Sequence, residues 1–230
     1  MKKTIWVTGA GRGIGKAIAE KFVSDLWNVI ASSRNISSKD FEGLTNIPYP
    51  LKCDVTKEAD VLEAIGNIQQ LFGSVDVLVN NAGIGYFKNI LETSLTEFKE
   101  QLDVNLIGTF LCSQAVIPMM IKKKKGVIIN IISVAGVKAF TNSGSYGASK
   151  AGVHMLSKVM REELKEYNIK VISVIPGATA TGIWSPRVLE KYSDRMMKPD
   201  HIADAVYSAA IQPDDIITEE IILRPILGDL

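Results

Sequence analysis

The sequence predicts a single α/β domain in which helices cover both faces of one doubly wound parallel β-sheet. Short apolar segments alternate with helical patterns about six times along the chain, and no segment repeats. A glycine-rich turn separates the first apolar segment from the first helical pattern. At 230 residues the chain can bury a full core without a second domain. We therefore expect residues 1–230 to form one domain, with about seven strands in the order 3-2-1-4-5-6-7 and ligands at the carboxyl edge.

The individual elements follow from apolar runs and from helical periodicity. Strands are predicted at residues 4–8, 28–32, 49–53, 75–79, 127–132 and 170–175, with one more near the C-terminus. Helices are predicted after the glycine turn, at residues 57–72, 94–121 and 144–167, and near His201. Ser94 and Glu97 form a capping box for the third of these helices. Few residues separate strands two and three, so the crossover helix, at about 37–44, must be short.

The turn after the first strand reads GAGRGIG, and its Gly9, Gly13 and Gly15 fit the pattern TGxxxGxG. Such glycines let the backbone turn sharply and approach a phosphate, and the helix that begins near Ile14 offers free amides and a positive dipole end. A tight turn without a ligand is the alternative. The position between a first strand and an amphipathic helix favours a nucleotide site.

The second strand ends at Ser33 and Arg34, where an enzyme that uses NAD holds an acid for the ribose 2'-hydroxyl. No acid stands there. Arg34, together with Arg12 in the glycine turn, offers cations that can bind a 2'-phosphate through forked hydrogen bonds. The sequence therefore predicts NADPH rather than NADH. Two solvated arginines are the alternative.

A hydroxyl, a phenol and an ammonium that one reaction could share follow the fifth strand. Ser133 ends that strand, and Tyr146 and Lys150 lie one helical turn apart. Charges about 4 Å apart at an effective dielectric constant of about 20 interact by roughly 4 kcal/mol, or about three pKa units. We therefore expect Lys150 to lower the pKa of Tyr146 towards neutrality. A YxxxK pattern alone also suits an unrelated surface pair.

Other polar or small residues follow the remaining strands at the same predicted edge. Asp54 follows strand three, where it suits either an adenine contact or the N-cap of the next helix. Asn81, Ala82 and Gly83 follow strand four and permit close approach of a cofactor. Pro176 and Gly177 end strand six. One crevice could hold all of these groups.

Asn105 lies inside a predicted helix among apolar neighbours, so its amide needs hydrogen-bonding partners. It is either a tie between the helix and nearby backbone or an anchor for a water molecule at the active site.

Composition argues against several classes of partner. The net charge is +1, from 26 basic and 25 acidic residues, which gives no electrostatic case for nucleic acid or an anionic membrane. The first apolar run stops at Thr8 and Gly9, too short for a signal peptide, so we expect a cytoplasmic protein. Cys53 and Cys112 stand in unrelated segments, which indicates neither a disulfide nor a metal site. The lysine run at 122–125 is expected to be a solvated helix end.

Taken together, these motifs resemble the short-chain dehydrogenase/reductase family over the whole length of the chain. They are TGAGRGIG at 8–15, NNAG at 80–83, Asn105, Ser133, YGASK at 146–150 and PGATAT at 176–181. The resemblance implies a Rossmann-type fold, NADP(H) and a complete catalytic tetrad. In it Tyr146 is the acid/base, Ser133 positions the carbonyl, and Lys150 also holds the nicotinamide ribose. Asn105 would anchor a proton-relay water.

The resemblance also implies contacts with the remainder of the cofactor. Asp54 would contact adenine and Asn81 would border its ribose. The segment after Pro176, with Thr179 and Thr181, would contact the carboxamide. It further implies a homodimer or homotetramer, built through the helices at 94–121 and 144–167.

Within the family the sequence is similar to the bacterial sepiapterin reductases. The similarity rests on SSRN at 32–35, GIGYF at 83–87, SVAGVKAF at 133–140, the Trp184 segment, residues 196–202 and the ending EEIILRPILGDL. The chain after Arg34 is shorter than is usual in the family. This difference should affect packing on the adenine side more than the chemistry.

Residues 179–197 form a polar, interrupted segment that suits a mobile lid over a substrate. Trp184 could stack on a flat heterocycle such as a pterin, close an apolar pocket, or anchor the loop. Tyr86 and Phe87 would line the opposite rim, and Asp229 is a candidate for binding a pterin amino group.

These features predict an NADPH-dependent reductase of a small carbonyl compound, either a pterin side-chain ketone or a diketone. An enzyme that reduces 3-oxoacyl chains on an acyl carrier protein is the alternative within the same class. A regulator that binds NADPH without turnover is the alternative from another class. An intact tetrad argues against that regulator.

Overall fold

The computed structural model describes residues 2–229, which form a seven-stranded parallel sheet in the order β3-β2-β1-β4-β5-β6-β7. This order and the all-parallel pairing confirm the fold predicted from the sequence. The strands are β1 (Thr4–Thr8), β2 (Asn28–Ser33), β3 (Tyr49–Lys52), β4 (Val77–Asn80), β5 (Gly126–Ile131), β6 (Ile169–Pro176) and β7 (Glu220–Leu223).

The described part of the chain contains seven α-helices. They are α1 (Gly13–Ser24), α2 (Glu58–Phe72), α3 (Leu95–Leu102), α4 (Gly108–Lys123), α5 (Gly144–Leu164), α6 (Pro186–Tyr192) and α7 (Pro199–Ala210). Of these, α1 and α7 pack on one face of the sheet and α2, α4 and α5 on the other. The capping box of Ser94 and Glu97 at the start of α3 is confirmed. The long helix predicted at 94–121 is continuous from Leu95 to Lys123, and a π-helical turn, Asp103–Ile107, joins its α3 and α4 parts. The short crossover helix is only a 3-10 turn, Ser38–Phe41.

Alternation along the strands sends side chains to two separate apolar layers. Ile5 and Val7 of β1 face the layer beneath α1 and α7, which also holds Phe22. Trp6 faces the opposite layer, beneath α2, α4 and α5. Its indole Nε1 donates to Ser32 Oγ over 2.8 Å, so the only polar atom of this fully buried side chain is satisfied. Burying one large apolar side chain contributes about 1.5–3 kcal/mol.

The ends of β1 and β4 are tied together at the carboxyl edge. The backbone amides of Asn81 and Ala82 both donate to Thr8 Oγ1 over 3.1 Å. In return, Asn81 Nδ2 donates to the carbonyls of Thr8 and Gly9 over 3.0 and 3.1 Å. These bonds hold the glycine turn against the loop that follows β4. Two of the loops predicted to form the site are therefore fixed in position relative to each other.

The helical run Leu95–Lys123, counted through the π-helical turn, is long enough and over 18 of its residues apolar enough to cross a membrane, by length and composition alone. In the structure this run packs within the domain, where α3 contacts α5 and α4 contacts α2. Its buried residues include Gln101, Asn105 and Cys112. We therefore interpret it as a helix of the domain core with one apolar face left exposed.

The lysine run at 122–125 ends α4 at the amino end of β5, at the sheet edge opposite the strand ends that carry the predicted site. Lys124 adopts a left-handed conformation with φ of 51°. Lys123 pairs with Asp76 and Lys125 with Asp214. The run is thus an ion-paired helix end.

Both cysteines are buried as free thiols, and burial is the main cause that raises the pKa of Cys53 to about 12. Within residues 2–229 no three potential metal ligands lie close enough to hold an ion.

We predict opposite effects of alanine at two helical glycines. A Cβ at Gly15 would lie 2.3 Å from Asn81 Nδ2 and 2.6 Å from the Gly9 carbonyl oxygen, whereas nothing lies within 4 Å of a Cβ at Gly66. Gly15→Ala should lower the free energy of unfolding by about 1–3 kcal/mol, the usual cost of overpacking. Gly66→Ala should raise it by about 0.5–1 kcal/mol. Urea unfolding of both variants measures the difference; equal effects would contradict the tight packing around Gly15.

Candidate active site

One cleft of about 980 Å³ opens along the carboxyl edge of the sheet. Most of the residues predicted to bind a cofactor or substrate line it. They are Gly9, Arg12, Gly13, Ile14, Ser33, Arg34, Asp54, Asn81, Ala82, Gly83, Ser133, Tyr146, Lys150, Pro176, Gly177, Thr179, Thr181, Trp184 and Asp229. Gly15 and Asn105 lie behind this lining, because Gly15 packs on Asn81 and Asn105 is buried beneath the loop after β4.

Ser133, Tyr146 and Lys150 meet in the cleft as the sequence predicts. Ser133 follows β5 and caps a 3-10 turn, Val134–Gly136, where its Oγ accepts a hydrogen bond of 3.1 Å from the amide of Ala135. Tyr146 and Lys150 lie one turn apart in the first half of α5. The side chains of Tyr146 and Lys150 are 8% and 4% exposed. The arrangement therefore places a phenol and an ammonium in a nearly dry pocket beside an open cleft.

The expectation that Lys150 brings the pKa of Tyr146 down towards neutrality is wrong for this structure. Lys150 Nζ donates to the Ile131 carbonyl over 2.8 Å and lies 6.0 Å from the centre of the Tyr146 ring. Burial therefore dominates and raises the pKa of the phenol, although hydrogen bonding with Ser133 opposes the change. Burial acts in the opposite direction on the ammonium and lowers the pKa of Lys150 to about 8.

Asn105 lies in the π-helical turn, and both the oxygen and the nitrogen of its side-chain amide make hydrogen bonds. Its Oδ1 accepts from the Ile84 amide over 2.8 Å, and its Nδ2 donates to the Ile84 carbonyl and to Ser149 Oγ, both over 2.9 Å. Of the two roles considered from the sequence, the structure contains the tie to backbone. The anchoring of a water molecule stays a prediction.

The glycine turn has the backbone geometry that a phosphate cradle needs. Gly9 and Gly13 have φ of 64° and 58°, in the left-handed region that disfavours a side chain. A Cβ at Gly13 would lie 3.3 Å from Thr181 Cγ2, so the segment after β6 passes directly over the turn. Arg12 stands at the N-cap of α1 and is exposed. The turn thus presents the amides of a helix start to the cleft.

Ser33, Arg34 and Asp54 also line the cleft, and Ser33 lies beside the glycine turn, with its Oγ 3.2 Å from the position of a Cβ at Gly11. Arg34 is exposed and makes no ion pair with any described residue. Asp54 Oδ1 accepts from the amide and the hydroxyl of Thr56 over 3.1 and 2.8 Å. The alternative that Asp54 caps the next helix is wrong, because Lys57 occupies the N-cap of α2.

Two aromatic rings, Phe87 and Trp184, form an apolar wall next to the Tyr146 phenol. Trp184 stacks on Phe87 with ring centres 5.2 Å apart and planes inclined by 11°. Phe87 also meets Tyr146 edge to face at 5.3 Å. Trp184 Nε1 donates to the Thr179 carbonyl over 3.0 Å. Trp184 is therefore both an anchor for its own loop and part of the apolar wall, two of the roles that the sequence allowed.

The segment predicted as an irregular lid at 179–197 has more structure than expected. It contains α6 and a 3-10 turn, Ser193–Arg195. Its two ends are joined, since Ala180 N donates to the Met197 carbonyl over 2.9 Å and Met197 N donates to the Ala178 carbonyl over 3.0 Å. Any movement of the segment would hinge at this paired base.

Asp229 lines the cleft but is already paired with two cations. Its carboxylate accepts from Lys138 over 2.9 Å and from Arg224 Nε over 3.1 Å. These bonds hold the pKa of Asp229 below its usual range, and the bond from Lys138 has the largest effect. The pairing joins the C-terminal segment to the loop after Ser133. Contact of Asp229 with a ligand stays a prediction.

Sequence reasoning missed two contributors to the site. The Ile131 carbonyl, which holds Lys150, is a backbone atom and leaves no signal in residue types. Gln101 is fully buried and contacts the start of α5. A signal was present, because Gln101 stands four residues before Asn105 on the same predicted helix face.

Comparison with known proteins agrees with this geometry. The family model described as short chain dehydrogenase matches residues 3–191. A sepiapterin reductase of Chlorobaculum tepidum is 35% identical over 244 aligned residues, which cover 100% of this chain and 99% of that protein.

Solved structures are similar over nearly the whole chain. A metagenomic short-chain oxidoreductase in complex with NADP is 31% identical, with a TM-score of 0.84, and the match covers 97% of this chain and 96% of that one. An alcohol dehydrogenase from the archaeon Thermococcus sibiricus, complexed with 5-hydroxy-NADP, is 28% identical with a TM-score of 0.88. That match covers 100% of this chain and 99% of the other.

Proposed function

The chain belongs to the short-chain dehydrogenase/reductase family, and on that premise we propose that it uses NADPH to reduce a small carbonyl compound. It is an NADP-dependent oxidoreductase of that family. The observation that carries the proposal is the meeting of Ser133, Tyr146 and Lys150 in one cleft with the glycine turn. This observation supports the proposal that the reaction and the binding of the cofactor take place in the same crevice.

The residues of the cleft fit NADPH. The helix start at Gly13 and the left-handed Gly9 suit a pyrophosphate, because they leave backbone amides open without a Cβ in the way. Arg12 and Arg34 stand exposed in the lining, where guanidinium groups suit a 2'-phosphate. Asp54, Asn81 and the threonines after Pro176 border the rest of the same crevice.

The chain's own groups supply the proton and orient the substrate. When bound, NADPH supplies the hydride that forms the new C–H bond at the carbonyl carbon. The Ser133 hydroxyl donates a hydrogen bond to the carbonyl oxygen, and Tyr146 transfers its phenolic proton to that oxygen as negative charge develops. The product is an alcohol, and the phenolate left on Tyr146 recovers a proton from solvent. The Lys150 ammonium stabilises that phenolate electrostatically.

The apolar wall of Phe87 and Trp184 favours a flat substrate. Phe87 packs against the phenol that donates the proton, and Trp184 stacks on Phe87. Aromatic rings gain stability by stacking on planar heterocycles. The similarity to a sepiapterin reductase supports a pterin side-chain ketone as substrate, and a small diketone is the second candidate within the same pocket.

Reduction of an acyl chain on a carrier protein has less support. An acidic carrier needs a cationic surface beside the cleft, and the lysine run at 122–125 lies at the other edge of the sheet. Two of its lysines are already paired with aspartates. A regulator without turnover has less support still, because Ser133, Tyr146 and Lys150 are all present in the cleft.

A homodimer or homotetramer is part of the proposal. Ile107 and Phe110 of the α3–α4 run and Met155 and Val159 of α5 are 43–62% exposed, which leaves apolar surface on both helices named from the family resemblance. Sedimentation velocity at micromolar concentration tests this point, and a monomer would contradict it. A cytoplasmic location remains a prediction.

The substrate class is tested by NADPH oxidation with the purified protein and a panel of sepiapterin, simple diketones and a 3-oxoacyl thioester. We expect sepiapterin to give the highest kcat/KM. Activity confined to diketones or to the thioester would keep the reductase chemistry and reject the pterin. Absence of turnover on the whole panel would favour the regulator.

Tyr146→Phe should lower kcat at least about a hundredfold, because it removes the proton donor and keeps the ring. The affinity for NADPH, measured by fluorescence titration, should change little. Tyr86→Phe is the matched control, since Tyr86 lines the same cleft but its hydroxyl pairs with Glu100 over 3.0 Å. Near-normal turnover in Tyr146→Phe would contradict the assignment.

Arg34→Ala should shift the cofactor preference towards NADH. A charge-assisted hydrogen bond to the 2'-phosphate is worth about 1.5–3 kcal/mol, so the ratio of kcat/KM for NADPH to that for NADH should fall at least about tenfold. Lys39→Ala is the control, because Lys39 is an exposed cation of the neighbouring crossover turn. An unchanged ratio would show that Arg34 does not contact the 2'-phosphate.

The reduction rate should fall as pH rises through about 8. Burial lowers the pKa of Lys150 to about 8, so its ammonium is present below that pH and is lost above it. Burial raises the pKa of Tyr146, so the phenol keeps its proton over the same range. We expect kcat to be constant at pH 6–7 and to decline above pH 8 when measured at saturating NADPH and substrate. A rate that rises with pH would contradict this account.

A further inference from the structure

Two amide side chains, Gln101 and Asn105, make the same kind of contact with the loop that follows β4. Gln101 Oε1 accepts from the Tyr86 amide over 2.9 Å, and Asn105 Oδ1 accepts from the Ile84 amide over 2.8 Å. The two acceptors lie four residues apart on the helix and the two donors two residues apart on the extended loop. The loop is thus held at two successive points.

The same two amides also reach the catalytic helix. Gln101 Nε2 donates to Ser145 Oγ, and Asn105 Nδ2 donates to Ser149 Oγ over 2.9 Å. Each serine directly precedes a catalytic side chain, because Tyr146 follows Ser145 and Lys150 follows Ser149. We call these four side chains, Gln101, Asn105, Ser145 and Ser149, the amide clamp.

The amide clamp is almost dry. Gln101, Asn105 and Ser149 are 0% exposed, and Ser145 is 2% exposed. Water cannot easily replace a bond that is broken there, so each donor or acceptor left alone would cost about 1–3 kcal/mol. Because breaking these hydrogen bonds is so unfavourable, the amide clamp fixes both the loop after β4 and the start of α5 relative to α3.

Asn105 is already part of the predicted tetrad, whereas Gln101 has no assigned role. Gln101 differs from Asn105 in the residue of α5 that it contacts. It holds the residue before Tyr146, in the first turn of α5, where fewer helical hydrogen bonds hold the backbone in place. Through the Tyr86 amide it also holds the loop that carries Phe87, whose ring packs against the phenol at 5.3 Å.

We infer that Gln101 is a positioning residue for Tyr146, acting through Ser145 and through the loop that carries Phe87. It does not touch the reacting atoms. Its effect is to keep the phenol at the place where a carbonyl oxygen receives the proton. This inference rests on the proposed function, because the phenol is taken to be the acid.

The test uses Gln101→Met, which keeps the length of the side chain and removes its hydrogen bonds, and Ser145→Ala, which removes one acceptor with little change in packing. Gln212→Met is the matched control, since the Gln212 amide pairs with Thr218 far from the cleft over 2.7 Å. Preformed complexes of each protein with NADPH are mixed rapidly with the best substrate of the panel.

We expect the single-turnover rate of hydride transfer to fall roughly ten- to a hundredfold in Gln101→Met and in Ser145→Ala, the scale of a misplaced reacting group. The double variant should lose little more than Gln101→Met alone, because both changes break the same contact. The Kd for NADPH should stay within about twofold, and Gln212→Met should keep the full rate. An unchanged rate in Ser145→Ala, or a parallel loss of NADPH affinity in both variants, would overturn the inference.

Hydrogen exchange separates this inference from the proposed function. Gln101→Met should speed amide exchange in peptides covering residues 84–87 and 143–147, while Gln212→Met should leave both unchanged. Unchanged exchange in Gln101→Met would overturn the positioning role even if the wild-type protein is active. Inactivity of the wild-type protein on the whole panel would instead overturn the proposed function, and the exchange of the two segments alone would then decide whether Gln101 holds them.

Discussion

The parallel pairing of β1, β4, β5 and β6 is the constraint on which the site depends. Parallel strands end at one edge, so the glycine turn, the NNAG loop, Ser133 and Pro176 come together although they are far apart in the chain. The pairing brings these groups near each other, and side-chain hydrogen bonds then set their positions. Thr8 and Asn81 join the glycine turn to the loop after β4 by four bonds. The amide clamp joins that same loop to α5. The precision of the cleft therefore comes from a few buried polar contacts on a rigid sheet.

Burial has opposite consequences for Tyr146 and Lys150, the two ionisable groups that we propose take part in catalysis. It raises the pKa of Tyr146, so the phenol holds the proton that a reduction consumes. It lowers the pKa of Lys150 to about 8, so the ammonium keeps its charge at neutral pH with little to spare. The phenolate formed after proton transfer would be costly in a dry pocket, and the neighbouring positive charge offsets part of that cost. The site is thus biased towards proton donation, which agrees with a reductase.

Much of this arrangement could be predicted from the sequence, because residue type and position carry it. The alternation of strands and helices predicted the fold, and the glycine turn and the serine, tyrosine and lysine predicted the cleft. What could not be predicted depends on backbone atoms and on local helix geometry. The Lys150 ammonium, whose charge was expected to lower the pKa of the phenol, donates its hydrogen bond to the Ile131 carbonyl. The π-helical turn at Asn105 also has no clear pattern of residues. For α6 a signal was present, because Ser185 caps the helix and Pro186 occupies its first position.

The central claim is that a hydride and a proton reach a carbonyl group in this cleft. Isotope transfer measures it most directly. The protein is incubated with a carbonyl substrate and with NADPH that carries deuterium at one or the other position of nicotinamide C4, and the alcohol is analysed by mass spectrometry. The account predicts one deuterium on the carbinol carbon from one of the two labelled cofactors only. An unlabelled alcohol, or equal labelling from both, would contradict hydride transfer at a single fixed site.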